Sequence, residues 1–278
     1  MINKYQELDV ALFDYGVYAI EGITNRLFRG PAVDRRHPYI ACIGAAQTFG
    51  RFCSRPFPAL LADRLGVQVL NLGAGGAGPK MFNSPNHLEL LNSAEFVVVQ
   101  VFSGRSESNS YFDNSKGGGR RGVRLKDGKV LTFEEFLREF TVSEPTKLVK
   151  QVINETRYNY VNNMIRLLNG IRRPKVLFWF SRRLPKYDPD FTTVSGVLRG
   201  FPQLVDDEML NEIRPWCDMY IECVSSKGLP QKLWPSQHEI PGTSLNMGML
   251  FNRYYPSPEM HAEAADLLAI ACRRLLSK

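Results

Sequence analysis

Apolar residues fall into five short runs that are too brief to be helices and too continuous to alternate. They are Tyr39 to Ala46, Val67 to Asn71, Phe96 to Phe102, Lys175 to Ser181 and Met219 to Val224. Unbroken apolar runs of this length are expected of strands covered on both faces. Between them the period changes to that of helices. Helices are predicted from about Ser54 to Leu65, with Ser54 as N-cap, and around His87 to Asn92. Others are predicted over Thr132 to Phe140, Thr146 to Asn169, Asp206 to Ile213 and Pro258 to Leu276. Thr132 and Glu135 carry the spacing of a capping box.

Strands that alternate with helices imply parallel strands joined by crossovers. The expected fold is an α/β protein, a three-layer α/β/α sandwich on a five-stranded, mainly parallel sheet. A single domain over 1–278 is expected, which is long for one domain at roughly 100–200 residues each. Residues 1–38 are polar and read as irregular. Residues 103–130 are rich in Gly, Ser, Asn and basic side chains. They read as a long, partly mobile loop or insertion, in which Lys126-Asp127-Gly128-Lys129 could close a small hairpin.

Ligand sites in such sheets lie at the carboxyl ends of the strands. Every unusual stretch of this chain falls at one of those ends. After the first strand comes Gly44-Ala45-Ala46-Gln47-Thr48-Phe49-Gly50. After the second comes the run 72–79, four glycines in eight residues. Ser103, Arg105, Ser106 and Asn109 follow the third strand, and Arg182 and Arg183 follow the fourth. His261 sits in the first turn of the last helix.

These residues resemble the SGNH (GDSL-type) hydrolase superfamily. Block one of that superfamily reads G-D-S-x-T-x-G, block two supplies an oxyanion-hole glycine, block three reads G-x-N-D, and block five reads D-x-x-H. Gly44, Thr48 and Gly50 match block one, but Ala45 and Ala46 stand at its Asp and Ser. Gly76 matches block two, with Gly75 equally placed if the turn shifts by one. Block three has no recognisable counterpart. His261 matches block five, with Pro258 at the Asp position. The resemblance runs from about residue 38 to the end, and is closest to a bacterial branch lacking the block-one Asp-Ser. That branch carries a leader similar to Arg29-Gly30-Pro31 and a segment similar to Pro56-Phe57-Pro58.

The resemblance implies a catalytic edge without its serine nucleophile, because an alanine methyl cannot attack a carbonyl. One reading is a pseudoenzyme that binds a small polar or anionic ligand, a carbohydrate among the candidates. Gln47, Thr48, Gly75, Gly76, Ser103, Arg105, Asn109 and Arg182 are then its ligand-binding residues. A second is a hydrolase or transferase with a rebuilt site, in which His261 is the general base and Arg105 and Arg182 clamp an anion. A third is an interaction protein that docks an acidic partner through the basic loop 116–129.

Composition narrows the field little. The chain is 44% hydrophobic and 23% charged, with a net charge of +7. It has no apolar run of about 18 residues, so no membrane helix is expected. Five cysteines without a C-x-x-C pair suit free thiols in a reducing compartment, and the N-terminus lacks a signal peptide's apolar core. A cytoplasmic location is expected. The four histidines show no ligand spacing, so no metal is expected. Gly73 to Gly78 has the spacing G-x-G-x-x-G. The acid some 20 residues on is Glu95, at the start of the third strand rather than the end of the second. No dinucleotide or other cofactor is expected. Few aromatics accompany the basic loop, so nucleic acid is not an expected partner.

Overall fold

A computed structural model describes residues 13–23, 26–115, 121–233 and 251–276. Its centre is a five-stranded parallel sheet. The strands are β1 (Tyr39–Ile43), β2 (Gln68–Asn71), β3 (Val97–Gln100), β4 (Lys175–Ser181) and β5 (Met219–Val224). Their order across the sheet is β2-β1-β3-β4-β5, the doubly wound order with a switch point between β1 and β3. Register is fixed by pairs such as Ala41 with Leu70, Ala41 with Val97, Val99 with Leu177 and Phe178 with Ile221.

Alternate residues serve the two faces, and both are buried. On one face Ala41, Ile43, Val97, Val99, Leu177 and Trp179 meet α3 (Pro85–Asn92), α5 (Thr146–Gly170) and α7 (Asp207–Ile213). On the other, Ile40, Cys42, Val98, Phe178 and Phe180 meet α2 (Phe57–Leu65) and α8 (Pro258–Leu276). The expected three-layer sandwich is therefore the fold. Short helices α1 (Ala46–Phe49) and α6 (Val194–Leu198), with α4 (Phe133–Ser143), complete the α-helices of the described residues. Thr132 caps α4 through the full reciprocal box with Glu135.

Three local expectations change. Helix α2 begins at Phe57, with the extended Pro56 rather than Ser54 at its N-cap and Pro58 in its first turn, where a proline ring is preset for the helix. Residues 103–130 hold more order than a loop. Phe112–Asp113, Arg121–Arg124 and Val130–Thr132 form an antiparallel sheet whose apolar side packs on Phe133, Phe136 and Phe140. Its turn carries Gly128 at φ 72° and an Asp127–Arg124 ion pair. Residues 116–120 lie outside the described set. Finally, the segment before residue 38 is partly built in: Tyr18–Ala19 pairs with Leu27–Phe28, and Phe28 and Arg29 are buried.

Candidate functional site

The turn after β1 is held by side chains from other strands. Gln100, the last residue of β3, accepts through Oε1 from Ala45 N–H at 3.0 Å and from the Thr48 hydroxyl at 2.6 Å. Asn71, the last residue of β2, donates to Thr48 O at 3.0 Å and accepts from Gly73 N–H at 2.9 Å. Ala74 N–H closes the pair of turns on Gly44 O at 3.0 Å. There is no room for a methyl at two glycines. A Cβ on Gly44 would occupy the space of Thr48 Oγ1 and Gln100 Oε1, and one on Gly73 would overlap the Phe49 backbone. From below, the buried Arg29 guanidinium donates to the carbonyls of Gly50 (3.1 Å), Cys53 (2.9 Å) and Ser54 (2.7 Å), with the Tyr15 ring 4.6 Å from its carbon. The Arg29-Gly30-Pro31 leader is thus the clamp of the first turn.

Within this frame Ala45 and Ala46 present only methyls. Thr48 is fully buried and spends its hydroxyl on Gln100, which makes it part of the turn. Gln47 is buried with Oε1 unpartnered, and Gln100 Nε2 is likewise buried and unpartnered. Gly75 is exposed with open space around it, and Gly76 turns at φ 75°.

The segment after β3 is knitted internally. Ser103 Oγ accepts from Arg105 N–H at 3.4 Å, and Ser106 Oγ donates to Ser103 O at 2.9 Å. Asn109 is fully engaged: Nδ2 donates to Thr156 Oγ1 at 3.0 Å, while Oδ1 accepts from Tyr111 and Phe112 N–H. It offers nothing to an oxyanion. Arg105 reaches α4 and pairs with Glu134. Arg182 donates to Arg253 O at 2.7 Å. Of the two arginines expected to form a cationic rim, Arg105 has its charge matched by Glu134, whereas Arg182 is bound only to a neutral carbonyl.

Sequence reasoning missed Glu107. It has no exposed surface. Its Oε2 meets Lys80 Nζ at 3.0 Å and accepts from Asn163 at 2.7 Å, while Oε1 has no partner. Burial raises its pKa, with Lys80 and Asn163 opposing the rise. Nothing in the Ser-rich text around it signals a buried acid, because its partners come from 27 and 56 residues away.

His261 is the largest departure from expectation. The first turn of α8 places it between the rings of Phe180 (centroids 5.3 Å apart) and Phe57 (6.1 Å) with no exposed surface. Its Nδ1 accepts from Phe57 N–H at 3.1 Å. A backbone N–H can only donate, so Nδ1 carries no proton, and a neutral ring must hold its proton on Nε2. Desolvation, with Arg29 adding to it, pushes the pKa down to about 3. The ring is neutral at pH 7 and Nε2 is a buried donor without a partner. This is the opposite tautomer to a base acting through Nε2, and the expected general base is not what this geometry provides.

Among the described residues no group of three or more His, Cys, Asp or Glu side chains could hold a metal ion, and no helix is long and apolar enough to cross a membrane. His238 and residues 116–120 of the basic loop lie outside them. Within the described part of that loop, Arg124 pairs with Asp127 and Glu139, and Lys129 with Glu139 at 2.8 Å. The free cationic surface expected there is reduced accordingly.

Fold and turns together define a doubly wound α/β protein whose polar turns gather at the carboxyl edge of β1, β2 and β3. The chain belongs to the family described as "Domain of unknown function (DUF6473)", whose profile matches residues 4–116 and 133–276. The unmatched stretch holds the hairpin between the two segments. No protein of curated function matches the chain. Solved structures similar to it include an acetyl xylan esterase from the rumen bacterium Butyrivibrio proteoclasticus. The two share 13% identity over 91% of this chain and 67% of that chain, with a TM-score of 0.47. A lipase from a goat rumen metagenome shares 11% identity over 84% of this chain and 97% of that one, with a TM-score of 0.45. A family two carbohydrate esterase from Clostridium thermocellum, in complex with cellohexaose, shares 12% identity over 91% and 68%, with a TM-score of 0.44.

Proposed function

We propose that the protein binds a small polar or anionic ligand, carbohydrates being the first class to test, at the carboxyl edge of the sheet and without a serine nucleophile. One observation carries the reading. Beside the two methyls of Ala45 and Ala46, the buried amides of Gln47 and Gln100 each keep an atom with no partner. Buried polar atoms are nearly always paired, so two unpaired amide atoms beside one exposed glycine turn support recognition of a polar ligand. The rebuilt-enzyme reading loses support from the proton on Nε2 of His261 and from the pairing of Arg105 with Glu134. The partner-docking reading loses support from the ion pairs of Arg124 and Lys129.

The test combines thermal shift and calorimetry on a panel of neutral oligosaccharides, uronic acids and sugar phosphates, with p-nitrophenyl acetate hydrolysis alongside. The expected result is saturable binding of one class, weakened at least tenfold by Gln47→Leu, with no ester turnover above background. Ester turnover that scales with protein and disappears in His261→Asn would overturn the reading, as would the absence of any binding.

A further inference from the structure

A second place on the molecule concentrates charge. Helix α4, helix α6 and the loop 199–203 enclose an open groove of about 430 Å³, the size of a small-molecule site. Val194 and Leu198 give it an apolar wall, and Ser195 adds a hydroxyl. Arg138 enters from α4 and Arg199 from the end of α6. Among the described residues neither guanidinium has an ion-pair partner. The groove's own acid, Glu134, is taken by Arg105. Asp190 feels the charge of Arg199, but its oxygens accept from Thr192 and Thr193.

More positive charge stands behind the groove. Arg183 donates all five of its N–H groups to carbonyls, those of Leu184, Pro185, Gly200, Pro202 and Val205. Carbonyls are neutral, so its charge is not cancelled there. Arg183 and Arg199 both lie against Tyr187, with their guanidinium carbons 4.8 and 5.6 Å from its ring centroid.

The backbone of Arg199 is the second observation. It has φ 56° and ψ −166°, a region that is essentially glycine's own. An exposed arginine is an unfavourable choice there unless its side chain is used. Glycine would fit without strain.

We infer that this groove binds a small phosphomonoester, with its dianion between the forks of Arg138 and Arg199 and its organic body against Val194 and Leu198. A planar guanidinium offers two parallel N–H donors to an oxyanion, and two such forks match a double charge. The groove is separate from the turns at Gln47 and Gln100, and the inference stands whether or not those turns hold a ligand.

The experiment is calorimetric titration of the full chain with phenyl phosphate, with benzyl alcohol as the uncharged control. Phenyl phosphate is expected to bind saturably and benzyl alcohol not to bind. Arg138→Gln and Arg199→Gly should each weaken binding at least tenfold, whereas Arg172→Gln, an exposed charge elsewhere, should leave it unchanged. Arg199→Gly should also melt at or above the parent temperature, because glycine relieves the backbone. Absence of saturable binding overturns the inference. So does phenyl phosphate binding that survives both groove substitutions, or that Arg172→Gln weakens equally, since it would then report net charge rather than the groove.

Discussion

The buried ring of His261 makes stability depend on pH in a way that can be worked out. In the unfolded chain a histidine titrates near 6.5; in the fold it is pushed down to about 3. The native state therefore refuses a proton that the unfolded state accepts. The stability is fully present above pH 6.5 and is lost as pH falls through 6.5 towards 3. From pH 7 to pH 5 the loss is about 2 kcal/mol from this one group. His87, pushed down to about 4, falls in the same direction over the same span, and protonating ion-paired carboxylates adds further loss at lower pH. His261→Asn isolates the term, because an amide oxygen can still accept from Phe57 N–H but does not titrate. Urea unfolding of parent and variant at pH 7 and pH 5 supplies the measurement. The variant starts less stable, since it leaves space between Phe57 and Phe180, but its deficit should shrink by about 2 kcal/mol at pH 5. A nitrogen-detected spectrum of the parent should show a neutral ring with its proton on Nε2 down to pH 5. A deficit that stays constant, or a ring that titrates near 6.5, would refute the reasoning and reopen His261 as a base.

Three further outcomes follow from the same turns. Ala46→Ser, alone or with Ala45→Asp, should hydrolyse p-nitrophenyl acetate no faster than the parent, since the ring that would activate the serine carries its proton on Nε2. Arg29→Met should lower stability by about 3 kcal/mol or more in urea unfolding, because charged hydrogen bonds to three loop carbonyls are lost together and those carbonyls stay in a buried region. Gly73→Ala should cost about 3 kcal/mol because its methyl meets the Phe49 backbone, while Gly75→Ala, which meets open space, should stay within about 1 kcal/mol of the parent.

The elements that were legible in the sequence are those whose signal is local. β4 and β5 end where their apolar runs end, and the box at Thr132 needs only residues three apart in the chain. β1 ends three residues before its apolar text does, because Ala45 N–H bonds to the side chain of Gln100 rather than to the backbone of a neighbouring strand. The small sheet of Phe112–Asp113, Arg121–Arg124 and Val130–Thr132 hides inside loop-like composition, since only a few of its residues, Phe112 and Leu131 among them, face the aromatic cluster. At the site, the two methyls after the first strand were readable from Ala45 and Ala46 alone. The state of His261 was not, because the N–H that fixes its tautomer lies 204 residues away. Glu107 was hidden for the same reason, and so was the capture of Arg105 by Glu134.

The polar atoms at the carboxyl edge bear on whether these turns do more than hold the fold together. Leaving a buried donor or acceptor unpaired costs about 1–3 kcal/mol, and Gln47 Oε1, Gln100 Nε2 and Glu107 Oε1 are three such atoms in adjoining segments. A chain under pressure only to stay folded would gain by replacing Gln47 with an apolar residue of similar size, whereas Glu107 is held through its other oxygen by Lys80 and Asn163. Gln100 is different, because its other amide atom holds the first turn by two hydrogen bonds. Gln47 Oε1 is buried without a partner, so Gln47→Leu is the variant that separates recognition from packing. If it stabilises the protein while ligand binding falls, the edge is a working site; if it stabilises the protein and binding is unchanged, the unpaired amides are an inheritance of the fold.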